Sequence, residues 1–191
     1  MPLDFQPKID KIVELLLYLA HKRPNADKYQ AVKFFYLADR EHLNRYGRPI
    51  THEQYFALPY GPVASKAMDL LEKDKWVMRE ARIDALPFET EIAEVNGRLI
   101  TYIREPLRGI NFDLFSKSDI GVFDEIIAQY GDKTFDELFK ITHKDPAYTR
   151  AWKGREPGSQ RSPMDYVDMI ESDEKKASIM EDIGPIAAHL E

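Results

Sequence analysis

The chain contains no cysteine among its 191 residues. That excludes a disulfide framework, a thiolate metal site and a thiol nucleophile, and it agrees with a reducing compartment. Long apolar runs are missing too. The longest, "IVELLLYLA", is far shorter than the stretch needed to cross a bilayer. The first residues, "MPLDFQPKID", have neither a basic start nor an apolar core, so no signal peptide is expected. No P-loop, G-x-G-x-x-G, H-E-x-x-H or G-x-S-x-G occurs. Five histidines (His21, His42, His52, His143, His189) lack close metal-ligand spacing. No metal or other cofactor is expected, and the reading is of a cytoplasmic protein that is not an enzyme.

What is present is a neutral body with an acidic end. Net charge is −6, and residues 165–191 carry all of it, two lysines against eight carboxylates. The remainder balances, which argues against general binding to a phosphate backbone and leaves room for a basic protein partner.

Apolar periodicity organises the rest. Ile9, Ile12, Val13, Leu16, Leu17 and Ala20 mark one face of a first helix, ended by Pro24-Asn25. Asp27 caps a second, Lys28 to Arg45, which is apolar nearly all round and so belongs in the middle of the fold; Gly47 stops it. "YFALPYGPVASKAMDLL" reads as a stiff corner opening a third helix to about Lys73, with Pro62 at the first helical position, Gly61 permitting a sharp entry and Pro59 keeping Leu58 extended. Asn96-Gly97 signals a hairpin whose register pairs Val95 with Arg98, Ala93 with Ile100 and Ile92 with Thr101. Val122, Phe123, Ile126, Ile127 and Tyr130 stripe a further helix, closed by Gly131. Thr134 and Glu137 form a capping box, and Asp145-Pro146 starts a short helix to about Lys153. "KGREPGSQRSP" is a linker by composition, and Ser162-Pro163 opens a last helical region with Tyr166, Val167 and Ile170 on one face. The fold class is mainly α with a small β-hairpin.

Two polar residues stand out. Asp39 is in phase with Val32, Phe35, Tyr36 and Leu43 on the most apolar helix, so it must be paired, hydrogen-bonded or shifted in pKa. It is either an anchor in a groove or a structural carboxylate. His143, between two helices, either ties them together or acts chemically. Around the corner, Tyr55, Phe56 and Tyr60 pin the core or present a surface at low entropic cost.

The stretch "KFFYLADREHLNRYGRPITHEQYFALPYGPVASKAMDLL" resembles the signature of the Panacea domain, the SocA-like antitoxin family also seen in phage GepA-like proteins. The matching motifs are Tyr36 to Asp39, Tyr46 to Ile50, Tyr55 to Ala57 and Tyr60 to Val63. "SDIGVFDEIIAQYG" and "LFKITHKDPAYTRAW", with Leu138, Thr142, His143 and Trp152, are similar to the family's second half. The resemblance covers roughly residues 9–153. It implies a compact, mainly helical domain with a small β element, taken as 1–155; residues 156–191 lie outside the shared pattern and read as an acidic amphipathic helical extension. It also implies an antitoxin that neutralises a cognate toxin by direct protein–protein binding. In some members the antitoxin also delivers its toxin to a protease, here a AAA+ protease. The residues it marks for partner binding are Tyr36, Asp39, Tyr55, Phe56, Tyr60, Gly61, Pro62, Val63, His143 and Trp152. A homodimer stays open; no membrane or nucleic-acid partner is expected. Two other readings compete. One is a DNA-binding autoregulator that uses the helix and the Asn-Gly hairpin as a winged-helix-like unit. The other is a hydrolase using Asp39 with His52 or His143.

Overall fold

A computed structural model describes residues 3–190. Helix α1 (Ile9–Lys22) ends where Pro24 and Asn25 turn the chain, Asn25 adopting φ +79°. Helix α2 (Lys28–Tyr46) begins at an Asp27 cap whose side chain accepts from Gln30 N–H while Gln30 reaches back to Asp27 N–H. It ends at Gly47 in the left-handed conformation. As its composition demands, α2 is the axis of the fold: Val32, Phe34, Phe35, Tyr36, Ala38 and Leu43 are all buried.

The corner departs from expectation. Tyr55–Leu58 is a strand, β1, and Gly61–Ala64 is a second, β2, joined by the two-residue turn Pro59-Tyr60. Pro62 therefore sits within β2, opposite Ala57, and not at a helix start. Gly61, at φ +99°, makes the tight turn that the sequence reading assigned to a helix entry. Helix α3 (Ser65–Leu71) follows directly, and Trp76 lies in a separate short helix, α4 (Lys75–Glu80), capped by Asp74.

Strands β3 (Phe88–Val95) and β4 (Arg98–Pro106) form the expected hairpin, in the expected register from Val95↔Arg98 to Ile92↔Thr101. The far edge of β4 is covered by the α1–α2 loop, through Asn25 N–H to Ile103 O and Ile103 N–H to Ala26 O. Among the described residues, β3 pairs with no strand but β4.

Helix α5 (Lys117–Tyr130) packs Val122, Phe123 and Ile126 against α2. Gly131 follows it in ordinary helical geometry. Helix α6 (Phe135–His143) carries the Thr134–Glu137 capping box, and α7 (Pro146–Lys153) the Asp145 cap with Pro146 at its first position. The last segment differs from the reading. Ser162–Pro163 is a strand, β5, antiparallel to β1, giving a small sheet in the order β2-β1-β5. A 3-10 turn at Tyr166–Met169, helix α8 (Asp173–Asp182) and a further 3-10 turn at Ala187–His189 end the described residues. The unexpected strand has a plain cause. β1 has an open edge, and a proline can occupy an edge strand because it need not donate there.

Candidate functional site

Asp39 is fully buried and saturated. One carboxylate oxygen accepts from Ile50 N–H (2.8 Å) and Thr51 N–H (3.0 Å). The other accepts from the Thr51 hydroxyl (2.5 Å), the Tyr55 hydroxyl (2.8 Å) and, at 3.4 Å, the Tyr166 hydroxyl. Burial pushes its pKa above the usual range in spite of those donors. The single Tyr166 proton is shared with Glu53 O, the nearer acceptor at 2.8 Å, so the carboxylate sits where α2, the loop after it, β1 and the C-terminal turn meet. Tyr36 packs edge-on against Tyr55, at 5.4 Å between ring centres. Tyr36, Asp39 and Tyr55 expose essentially no surface. Neither His52 nor His143 hydrogen-bonds to Asp39, so the acid–base pair of the hydrolase reading is not assembled. His52 is buried at φ +56° beside Phe5, with no hydrogen-bond partner for either ring nitrogen. Burial, then the charges of Lys8, Lys11 and Arg48, lowers its pKa to about 3.

The β1–β2 turn is clamped from three sides. The Lys33 ammonium group on α2 donates to Pro62 O (2.6 Å). The Tyr148 hydroxyl on α7 donates to Leu58 O (2.9 Å). His143 on α6 sets Nε2 3.1 Å from Pro59 O and Nδ1 2.9 Å from Phe139 O. A neutral imidazole donates to one of those carbonyls only. Lys33 is fully buried, has no carboxylate partner among the described residues and lies 4.8 Å from the centre of the Tyr29 ring. Burial alone drives its pKa well down. Gly61 is obligatory here: a β-carbon would stand 2.8 Å from Lys33 Nζ and 2.9 Å from Thr142 Oγ1.

This clamping leaves Tyr60 fixed at the tip, 52% exposed. It begins an aromatic ribbon. Tyr60 meets Phe135 (6.0 Å), which is 42% exposed; Phe135 meets Phe139 (6.2 Å), and Phe139 stacks on His143 (3.6 Å). His143 then contacts Tyr148 (4.6 Å), and Tyr148 lies parallel to Trp152 (6.2 Å), which Arg155 covers at 4.0 Å. Phe56 is half-buried beneath the Arg161 guanidinium (3.8 Å), and Val63 is buried. Of the residues marked from sequence, Tyr60, His143 and Trp152 thus share one strip, exposed at Tyr60 and Phe135, half-buried at His143 and Trp152 and buried at Tyr148. Gly61 and Pro62 mount it, while Tyr36, Asp39 and Tyr55 form a separate interior hub.

Sequence reasoning missed Lys33, Phe135 and Tyr148. A signal existed for the first two. Lys33 sits at i+4 from Tyr29 on the all-apolar helix, the argument that singled out Asp39, and Phe135, Phe139 and His143 repeat at i+4 along one helix face.

The winged-helix reading gains nothing from the hairpin, where Glu89, Glu91 and Glu94 are exposed along β3. Among the described residues no group of three or more His, Asp or Glu side chains is placed to hold a metal ion. No helix is long and apolar enough to cross a membrane.

Residues 32–152 match the family model described as antitoxin SocA-like, Panacea domain. The chain belongs to this family. The Panacea match spans α2 from Val32, the clamped corner and the ribbon through Trp152, so the strip and the hub residues Tyr36, Asp39 and Tyr55 lie within the shared domain, while Tyr166 lies beyond it. No curated protein and no solved structure matches the chain.

Proposed function

We propose that the protein is an antitoxin that neutralises a cognate toxin by direct binding, through the strip running from Tyr60 to Trp152. The observation that carries this is the Panacea match over residues 32–152, within which Tyr60 stands exposed on a turn held by three helices, beside the exposed Phe135 of α6. A rigid aromatic surface suits a protein interface: ordering it on binding costs little, and Tyr and Trp are enriched among interface anchors. Lys140, Lys144 and Lys153 flank the strip, exposed and without ion pairs among the described residues, which favours an acidic rim on the toxin. The acidic extension 156–191 adds a second contact in this reading, toward basic groups of the partner. The same protein delivers the bound toxin to a AAA+ protease, or acts as a homodimer, only as further extensions of this reading.

The test is a co-expression growth assay with the adjacent open reading frame. The neighbour alone should stop growth, and this protein should restore it and co-purify. A Tyr60→Ala/Phe135→Ala variant with an unchanged circular dichroism spectrum should lose rescue. Full rescue by that variant would move the interface off the strip, and a harmless neighbour would remove toxin neutralisation. A toxin half-life shortened by this protein only in protease-positive cells would support the adaptor extension.

A further inference from the structure

A second surface lies away from the strip and shares no residue with it. A groove of about 930 Å³ runs between α4, the loop after it and the start of β3. Its floor is apolar: Met78, Leu86 and Phe88 are buried there and Ile83 is half-buried. Leu107, on its wall, is 61% exposed, and Trp76, on α4, is 75% exposed. Large apolar side chains left this open beside a concave surface mark contact sites more often than chance.

The rim is cationic. Lys73, Lys75, Arg79 and Arg82 line it, all exposed. None has an ion-pair partner among the described residues, and the carboxylates next to them at the start and end of α4 are engaged elsewhere. Glu72 pairs with Lys28, Glu80 pairs with Lys66, and Asp74 caps α4 by accepting from Trp76 and Val77 N–H. Lys73 and Arg82, at either end of α4, both hold φ +56°, so the cations are set on a fixed frame. Asp84 and Glu89 also line the groove and have no ion pair among the described residues. Four cations against two anions leave it positive on a molecule whose net charge is −6.

We infer that this groove docks an acidic segment of a partner protein, one that inserts an apolar side chain over Met78, Ile83 and Leu86 and sets carboxylates against Arg79 and Arg82. Charge complementarity names the partner's sign, and the apolar floor names a polypeptide. A nucleic acid fits less well, since Asp84 and Glu89 interrupt any continuous phosphate track. The inference does not rest on the strip or on toxin binding.

The experiment uses the full chain and a fluorescent synthetic peptide with leucines at i, i+3, i+4 and i+7 and glutamates elsewhere. A matched lysine peptide and a labelled DNA duplex serve as comparisons. Anisotropy should show saturable binding of the glutamate peptide, weakening as salt rises. An R79E/R82E variant, folded by circular dichroism, should lose about tenfold or more in affinity, and Leu107→Glu should weaken binding with the cations intact. Absence of saturation, equal binding of the lysine peptide, or unchanged affinity in R79E/R82E would each overturn the inference. Tighter DNA binding abolished by the same variant would also overturn it, reassigning the groove to phosphate.

Discussion

At the residue scale, one glycine and one lysine explain the corner. Gly61 combines a left-handed backbone with a neighbour, Lys33, that leaves no room for a β-carbon. The lysine end can shift, but the +99° φ cannot be relieved by side-chain movement. Gly61→Ala should therefore cost about 1–3 kcal/mol, read as a lowered midpoint in urea unfolding. The sequence made Gly61 conspicuous through Pro59 and Pro62, but it did not say which turn they make, since Gly-Pro-Val suits a helix entry and an edge strand alike. Lys33 was harder to see. Lysines are almost never fully buried, and nothing local records that the partner would be the Pro62 carbonyl, 29 positions away.

At the scale of elements, local chemistry was legible and distant pairing was not. The Asn96-Gly97 hairpin, the Thr134–Glu137 box and the Asp145-Pro146 start each depend on residues within a few positions, and each formed as read. Helix α3 shows the other case. Its N-terminus is capped by Glu53, twelve residues before it begins, whose carboxylate accepts from Lys66 and Ala67 N–H as well as Gln54 N–H. Burial pushes the Glu53 carboxyl up to about 8, against the pull of those three donors. An acid whose pKa rises on folding holds its proton more tightly folded than unfolded. The stability it contributes is whole below the unfolded value, 4.5, and is lost as pH rises through about 8. Glu53→Gln cannot lose a proton. The urea midpoint of the unaltered protein should fall relative to that of the variant between about pH 5 and 8, and parallel profiles would show that Glu53 is ionised throughout.

At the scale of the whole molecule, the C-terminal segment joins the core, most closely between Met164 and Ile170 and again at Ile179 and Ala187. Tyr166 and Met169 are buried, and Tyr166 reaches both Asp39 and Glu53. Helix α8 lies further out, touching the end of α2 through Ile179 near Gly47. Two truncations should separate these roles. Removing 172–191 should leave a cooperative unfolding transition with a modest loss, and if toxin binding is unchanged the acidic segment makes no contact. Removing 156–191 strips Tyr166 from its hub and should cost about 3–5 kcal/mol or more in calorimetry or urea unfolding. None of this was legible as pairing, because β5 joins β1 across more than a hundred residues.

That long closure also sets an order of events during synthesis. Tyr166 lies 127 residues after Asp39. At roughly 5–20 residues per second, a ribosome makes the carboxylate about 6–25 s before its last hydroxyl partner. Until then the nascent chain carries an incompletely paired buried acid and an open strand edge on β1, the kind of intermediate that chaperones and proteases attend. The hub is thus finished only once residue 166 has been made, after Lys33, His143 and Tyr148, which clamp the corner, are already in the chain.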